Sequence, residues 1–194
     1  MTSPALSPAL ERYLEELARW GARMNLVGST ARDELVVHVL DSLAAADVLP
    51  HGARVVDLGS GAGFPGLPLA IERPDLSLTL VEIREARVHF LRHVVRQLGL
   101  GCAVRRGSID EPPVEAYDYA LLKAVAPVPE AARRGVQWVR DDGEVWIWSR
   151  VGAVESQIEG AVVHPIAGES DRGGILRLPA RAIPRGTHPS GAHE

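Results

Sequence analysis

Cysteine, long apolar runs and an excess of positive charge are what this 194-residue chain lacks. Its single cysteine, Cys102, excludes an intramolecular disulfide and a cysteine-built zinc site, and fits a reducing cytoplasm. Cys102 falls where a strand is expected, so packing in the core is its expected role. No apolar run approaches the length of a membrane span, and Met1 to Leu10 lacks the basic and apolar zones of a signal peptide. The expectation is therefore a cytoplasmic chain with no membrane partner, a monomer that binds no metal. Net charge is −4, so any surface for nucleic acid has to be a local patch. No internal repeat is visible. At 46% hydrophobic and 24% charged, the chain has the composition of one α/β domain with a terminal extension.

What is present is organised around the stretch from Val55 to Gly66, Val-Val-Asp-Leu-Gly-Ser-Gly-Ala-Gly-Phe-Pro-Gly. Val55 and Val56 predict a short buried strand ending near Asp57 and Leu58. Gly59, Gly61 and Gly63 follow at alternate positions, and Leu67, Leu69, Ala70 and Ile71 resume at helical spacing, with Pro65 or Pro68 in the first turn. Strand, glycine turn and helix start bring backbone close to a ligand, where a Cβ would block the approach. Gly61, Gly63 and Gly66 satisfy the dinucleotide pattern G-x-G-x-x-G. Read from Asp57, the same string is D-x-G-x-G-x-G, and a carboxylate there repels pyrophosphate but attracts an ammonium or sulfonium. That favours S-adenosylmethionine (SAM) over NAD. Glu82, at the end of a strand over Leu78–Glu82, suits both ribose hydroxyls of either ligand and does not discriminate.

Residues Pro8 to Trp20 carry one apolar stripe at helical spacing, and a second helix is expected from Asp33, as N-cap, to Val48. His38, Asp41 and Ser42 fall on that helix, and their residue types suit a surface face or a ligand equally. Residues 1–50 thus form a helical cap ahead of a core at 51–179. After the glycine turn come a helix to Glu72, the Leu78–Glu82 strand and a helix from Arg84 to Leu98. The last of these shows Arg84, Arg87, His89, Arg92, His93 and Arg96 to solvent, either as a solvated face or as a phosphate-binding patch. A strand at Ala103–Arg105 leads to Ser108-Ile109-Asp110. In a parallel sheet that loop shares an edge with the glycine turn, so Ile109 would pack on an adenine and Asp110 accept from its amino group. Tyr117–Leu122 predicts a fourth strand that delivers Lys123 to the same edge, as a surface charge or a ligand contact. A helix over Pro129–Val139, a strand at Glu144–Trp148 and a hairpin of Val162–Ile166 with Ile175–Leu178 complete an open, mostly parallel sheet. A loose tail is expected over 180–194.

Trp20, Asn25-Leu26, His38, Asp41-Ser42, the string Asp57-Leu-Gly-Ser-Gly-Ala-Gly-Phe-Pro-Gly-Leu-Pro-Leu-Ala and Arg87-Val-His-Phe-Leu resemble the glucose-inhibited division protein B family, also called ribosomal small-subunit methyltransferase G. The resemblance runs with gaps from Leu10 to Leu178. It implies a Rossmann-like methyltransferase fold with helices on both sheet faces. It also implies SAM-dependent methylation of guanine N7 in small-subunit ribosomal RNA, with the RNA or the ribosomal particle as partner. Cofactor contacts are implied at Gly59, Phe64, Ile109-Asp110 and Lys123. Nitrogen 7 bears no proton, so this transfer asks for no general base. The chain is a divergent member. Lys123 stands where the family has an arginine fork, Ser108 where it has an arginine, and Trp148-Ser149 where it has a lysine. The lost cations leave two rivals, an RNA-binding or assembly factor without transfer and a methyltransferase for another substrate.

Overall fold

The computed structural model describes residues 5–24, 26–149, 160–166 and 173–185. Two helices, α1 (Pro8–Met24) and α2 (Arg32–Leu43), precede the sheet. Then follow β1 (Arg54–Leu58), α3 (Gly66–Glu72), β2 (Ser77–Glu82), α4 (Glu85–Leu98), β3 (Ala103–Arg106), β4 (Tyr117–Lys123), α5 (Val128–Gly135), β5 (Val139–Ser149), β6 (Val162–Pro165) and β7 (Gly174–Pro179). The seven strands lie in the order β3-β2-β1-β4-β5-β7-β6. Pairs among β1 to β5 are parallel, and β7 runs antiparallel to both β5 and β6. From β1 the chain winds outward to β3, then returns to the other side of β1 for β4 and β5. The β1–β4 boundary is thus the switch point, where ligands sit in open α/β sheets.

Alternation along the strands separates two buried clusters. Val55, Leu80, Leu121, Trp146 and Ile175 face one side, where α1 to α4 cover them; Val56, Val81, Leu122, Ile147 and Leu176 face the other, with Ala131 and Ala132 of α5. Strands buried on both faces read as continuous apolar runs, as these do. The N-terminal helices contribute Tyr13, Leu17 and Val39 to the first cluster, with α1 packed on α4 and α3, and α2 on α3 and α1.

Several boundaries differ from expectation. Asp33 is not the N-cap of α2; Ala31 is, and Asp33 and Glu34 occupy the first turn, where their charges complement the helix dipole. The helix over Pro129–Val139 ends at Gly135, and Val139 already pairs with Tyr117 as the start of β5; Gly135 itself packs so closely that a Cβ there would stand 2.6 Å from Val145 Cγ1. Ala180–Ala182 form a 3-10 turn with Ala180 and Ile183 buried, where the loose tail was expected to begin. Asn25 and residues 186–194 lie outside the described residues.

Candidate functional site

The glycine turn leaves β1 at the carboxyl edge and is tied to the neighbouring strand by Gly59 N and Ser60 N, which both donate to Val81 O at 2.9 and 3.0 Å. Gly59, Gly61 and Gly63 have φ of +74, +56 and +104°. At Gly63 the requirement is twofold, since a Cβ would also fall 2.3 Å from Leu67 Cδ1. The turn is one wall of an open cleft of about 230 Å³, whose lining includes His38, Gly59, Gly61, Phe64, Arg87 and Lys123, together with residues 26–28.

Two acids brace the turn. Asp57 has no solvent exposure, and its Oδ2 accepts from Gly66 N at 3.1 Å. Burial raises its pKa to about 7, with the Gly66 amide acting against that rise; the Ser60 hydroxyl donates to the Asp57 carbonyl oxygen at 3.0 Å. Its Oδ1 is buried with no hydrogen-bond partner among the described residues. The sequence places this carboxylate beside a ligand; the structure sets it one layer beneath the turn. Glu82 is nearly as buried, and its Oε2 accepts from Gly61 N at 3.0 Å while Oε1 accepts from Arg84 N at 2.8 Å. Each oxygen keeps a second lone pair, so Glu82 can still accept from hydroxyls.

Lys123 ends β4 opposite the turn. Its Nζ lies 3.1 Å from His38 Nδ1 and 5.4 Å from the centre of the Phe64 ring. Burial lowers the Lys123 pKa, with Asp41 and Asp57 opposing. Burial and then the Lys123 charge lower that of His38, so the ammonium donates to a neutral imidazole. Lys123 is the only lysine in the sequence. The next residue, Ala124, has φ +57°, a left-handed conformation costly for alanine, and it borders the cleft. Tyr13 was legible only as part of the α1 stripe. Its buried hydroxyl donates to Ala62 O at 2.9 Å, and its ring meets Phe64 edge-on, so α1 supports the turn from beneath. No sequence pattern signals a hydroxyl aimed 49 residues away.

The other expected residues are distributed unevenly. Ile109 is half-buried, its carbonyl accepting from Trp138 Nε1 at 2.7 Å, and Asp110 is exposed with Oδ1 3.3 Å from Arg134 Nε. Both follow β3 at the carboxyl edge. Arg87 is not solvated as expected: it turns into the cleft, with Nη1 3.8 Å from Glu82 Oε2. His93 is likewise engaged, its Nε2 2.9 Å from Glu16 Oε2. Arg84, Arg92 and Arg96 are exposed. Since α4 starts at the carboxyl edge, Arg96 stands about 16 Å down its axis from Glu85, at about 1.5 Å per residue. The structure thus brings Arg87 into the cleft, leaves Arg84 exposed at the N-cap of α4 and carries Arg92 and Arg96 down the helix away from it. Ser42 Oγ donates to His38 O at 2.7 Å, and Trp148 Nε1 donates to Asp41 O at 2.8 Å, which pins α2 to β5. Among the described residues no group of three or more His, Cys, Asp or Glu is placed to hold a metal, and no helix is long and apolar enough to cross a membrane.

Strand order, switch point and glycine cradle define the fold of the SAM-dependent methyltransferases. A solved structure of that class, S-adenosylmethionine-dependent methyltransferase SibL in its apo form, superposes with TM-score 0.60 at 16% identity, covering 88% of this chain and 69% of that one. The family described as rRNA small subunit methyltransferase G matches residues 7–158, and the chain belongs to it. Ribosomal RNA small subunit methyltransferase G of Mycolicibacterium paratuberculosis is 40% identical over 147 residues, covering 73% of this chain and 59% of the relative. Its counterpart in Corynebacterium jeikeium is 43% identical over 136 residues, covering 68% and 61%. The chain therefore spans about 60% of the length of these curated relatives.

Proposed function

We propose that this chain binds SAM at the β1–β4 switch point and transfers its methyl group to N7 of a guanine in small-subunit ribosomal RNA, acting as a cytoplasmic monomer. The observation that carries the reading is the cradle itself: three glycines of positive φ at the switch point, in a chain of this family, two of them, Gly59 and Gly61, lining the cleft with the cation Lys123. The residues fit the cofactor. Asp57, buried under the turn with Oδ1 unbonded among the described residues, has its pKa raised to about 7, and a sulfonium or ammonium bound above it would favour the ionised carboxylate where a pyrophosphate would oppose it. Gly59, Gly61 and Gly63 admit the ligand's methionine end. Glu82 accepts from the ribose hydroxyls, and Ile109 and Asp110 take the adenine. Phe64 covers the turn, braced by Tyr13 and His38.

When bound, SAM supplies an electrophilic methyl on a sulfonium centre. Guanine N7 has a free lone pair, so the protein's contribution is alignment and charge placement, with no proton to remove. Lys123, held by His38, presents the cation that would fix the guanine or its phosphate, and Arg84 and Arg87 extend the positive edge, with Arg92 and Arg96 beyond it on α4. The test is methyl transfer to small ribosomal subunits lacking this modification, with nucleosides read by mass. A 7-methylguanosine peak is expected. Methylation at another atom would redirect the substrate, and bound SAM with no product would leave an RNA-binding protein without transfer.

A further inference from the structure

The second cavity of interest lies outside the cleft, between α1 and α4. It measures about 380 Å³ and is lined by Glu16, Arg19, Trp20, Met24 and His93. We infer that this groove receives an unpaired nucleobase of the RNA strand next to the target nucleotide, stacked on Trp20 and flanked by Arg19 and Arg96. The inference rests on the RNA-methyltransferase reading above.

Four observations carry it. First, Trp20 is half-buried and its ring is fixed from behind, with centroids 5.7 Å from Phe90 and 5.0 Å from His93, so it is a rigid aromatic platform. The other tryptophans, Trp138, Trp146 and Trp148, are at most 8% exposed. Second, the one carboxylate in the groove is already engaged: Arg19 Nη1 stands 2.7 Å from Glu16 Oε1, and His93 Nε2 stands 2.9 Å from Oε2. The Arg19 side chain is 63% exposed, so the guanidinium N–H groups it does not spend on Glu16 are open to a phosphate. Third, His93 belongs to the α4 face on which Arg96, one turn further on, is exposed, so the groove joins the only cationic stripe read in the sequence. Aromatic platform and arginine rim are the pattern that holds single-stranded nucleic acid, by stacking and by phosphate contact.

Fourth, groove and cleft share their walls. Met24 lines the groove and residues 26–28 line the cleft, while on α4 Arg87 lines the cleft and His93 the groove. Those two α4 positions are six residues apart, about 9 Å along the axis. That is the reach of one to two nucleotides, so a strand with its guanine in the cleft would lead its neighbour over Met24 onto Trp20.

The test uses the full chain, a twelve-nucleotide oligo(A) and an abasic strand of equal length and charge. Trp20 is the least buried of the four tryptophans, so oligo(A) should quench intrinsic fluorescence and the abasic strand should not. Trp20→Leu, which keeps an apolar contact with Phe90, should weaken oligo(A) binding about tenfold, in line with the loss of one stacked base. Arg96→Gln, at an exposed position, should weaken both strands alike and flatten the salt dependence. Equal binding of the two strands without quenching, or undiminished affinity in Trp20→Leu, overturns the proposal. So does a Trp20→Leu effect confined to sedimentation, which would mark a contact between copies of the chain. SAM binding, followed by thermal shift in the same samples, separates the two readings. Intact SAM binding without stacking removes the groove and leaves the enzyme; stacking without SAM binding does the reverse.

Discussion

At the scale of single residues, two buried groups give stability opposite pH dependences. Burial pushes the Asp57 carboxyl up from the ordinary 3.8 to about 7 in the folded chain. Between those values the folded state holds the extra proton, so the stabilising contribution is complete below 3.8 and is lost as pH rises to about 7. His38 is held below its usual 6.5, first by burial and then by Lys123. Its contribution is present above 6.5 and is lost as pH falls through its folded value. Urea midpoints at pH 5 and 7.5 separate them: Asp57→Asn should lose less stability than the parent on going to the higher pH. A parallel response of parent and variant would mean the carboxylate is not buried as described. At Lys123 the prediction concerns turnover. Lys123→Ala should lower kcat/KM for RNA methylation at least about tenfold, as expected for a lost charged contact, whereas Lys123→Arg should retain most of it. Because no other lysine competes, reductive ¹³C-methylation gives one side-chain resonance whose titration should show a midpoint below 10.5.

At the scale of elements, the glycine turn is the least replaceable piece. Gly63→Ala combines a left-handed φ with a clash into Leu67 and should cost about 3 kcal/mol or more, the range of severe packing and strain effects. Gly99, at φ +64° with nothing near its missing Cβ, closes α4 in open space. Gly99→Ala should cost only the conformational part, about 1 kcal/mol. Equal midpoint shifts for the two in chemical denaturation would contradict the packing described. The elements themselves were largely legible in the sequence. The β-branched pair Val55-Val56 located β1, short apolar runs located β2, β4 and β7, and helical periodicity located α1 and α4. What periodicity could not give was the end of α5, since apolar Val136, Trp138 and Val139 continue past it into β5. Nor could it give the direction of Arg87, which looks solvated in a linear reading yet bends toward Glu82 at the strand end. The pairing of Lys123 with His38 joins residues 85 apart, and only the closed sheet brings them together. Glycine spacing pointed to the cleft, but the supports beneath it, Tyr13 above all, come from packing.

At the scale of the whole molecule, a net charge of −4 limits how much of the affinity for RNA can be electrostatic. Only a few arginines flank the cleft, so the logarithm of the RNA association constant should fall with the logarithm of salt with a slope of about −1 to −3, at nearly one unit per phosphate contact. A slope much steeper than that would require a basic surface that the described residues do not show.

The winding order has a further consequence for how the chain is made. Residues 5–106 supply α1 to α4 and one half of the sheet, including most of the first buried cluster. As this part emerges from the ribosome during synthesis it has β1 as its unpaired edge, because the partner on that side, β4, begins only at Tyr117. The strand that carries Asp57 into the glycine turn is therefore a sticky border of the half-made protein, open to mispairing until β4 has emerged. The last residue of the strand that seals this border is also the cation that walls the cleft, so the cleft and the closed sheet are completed in one event.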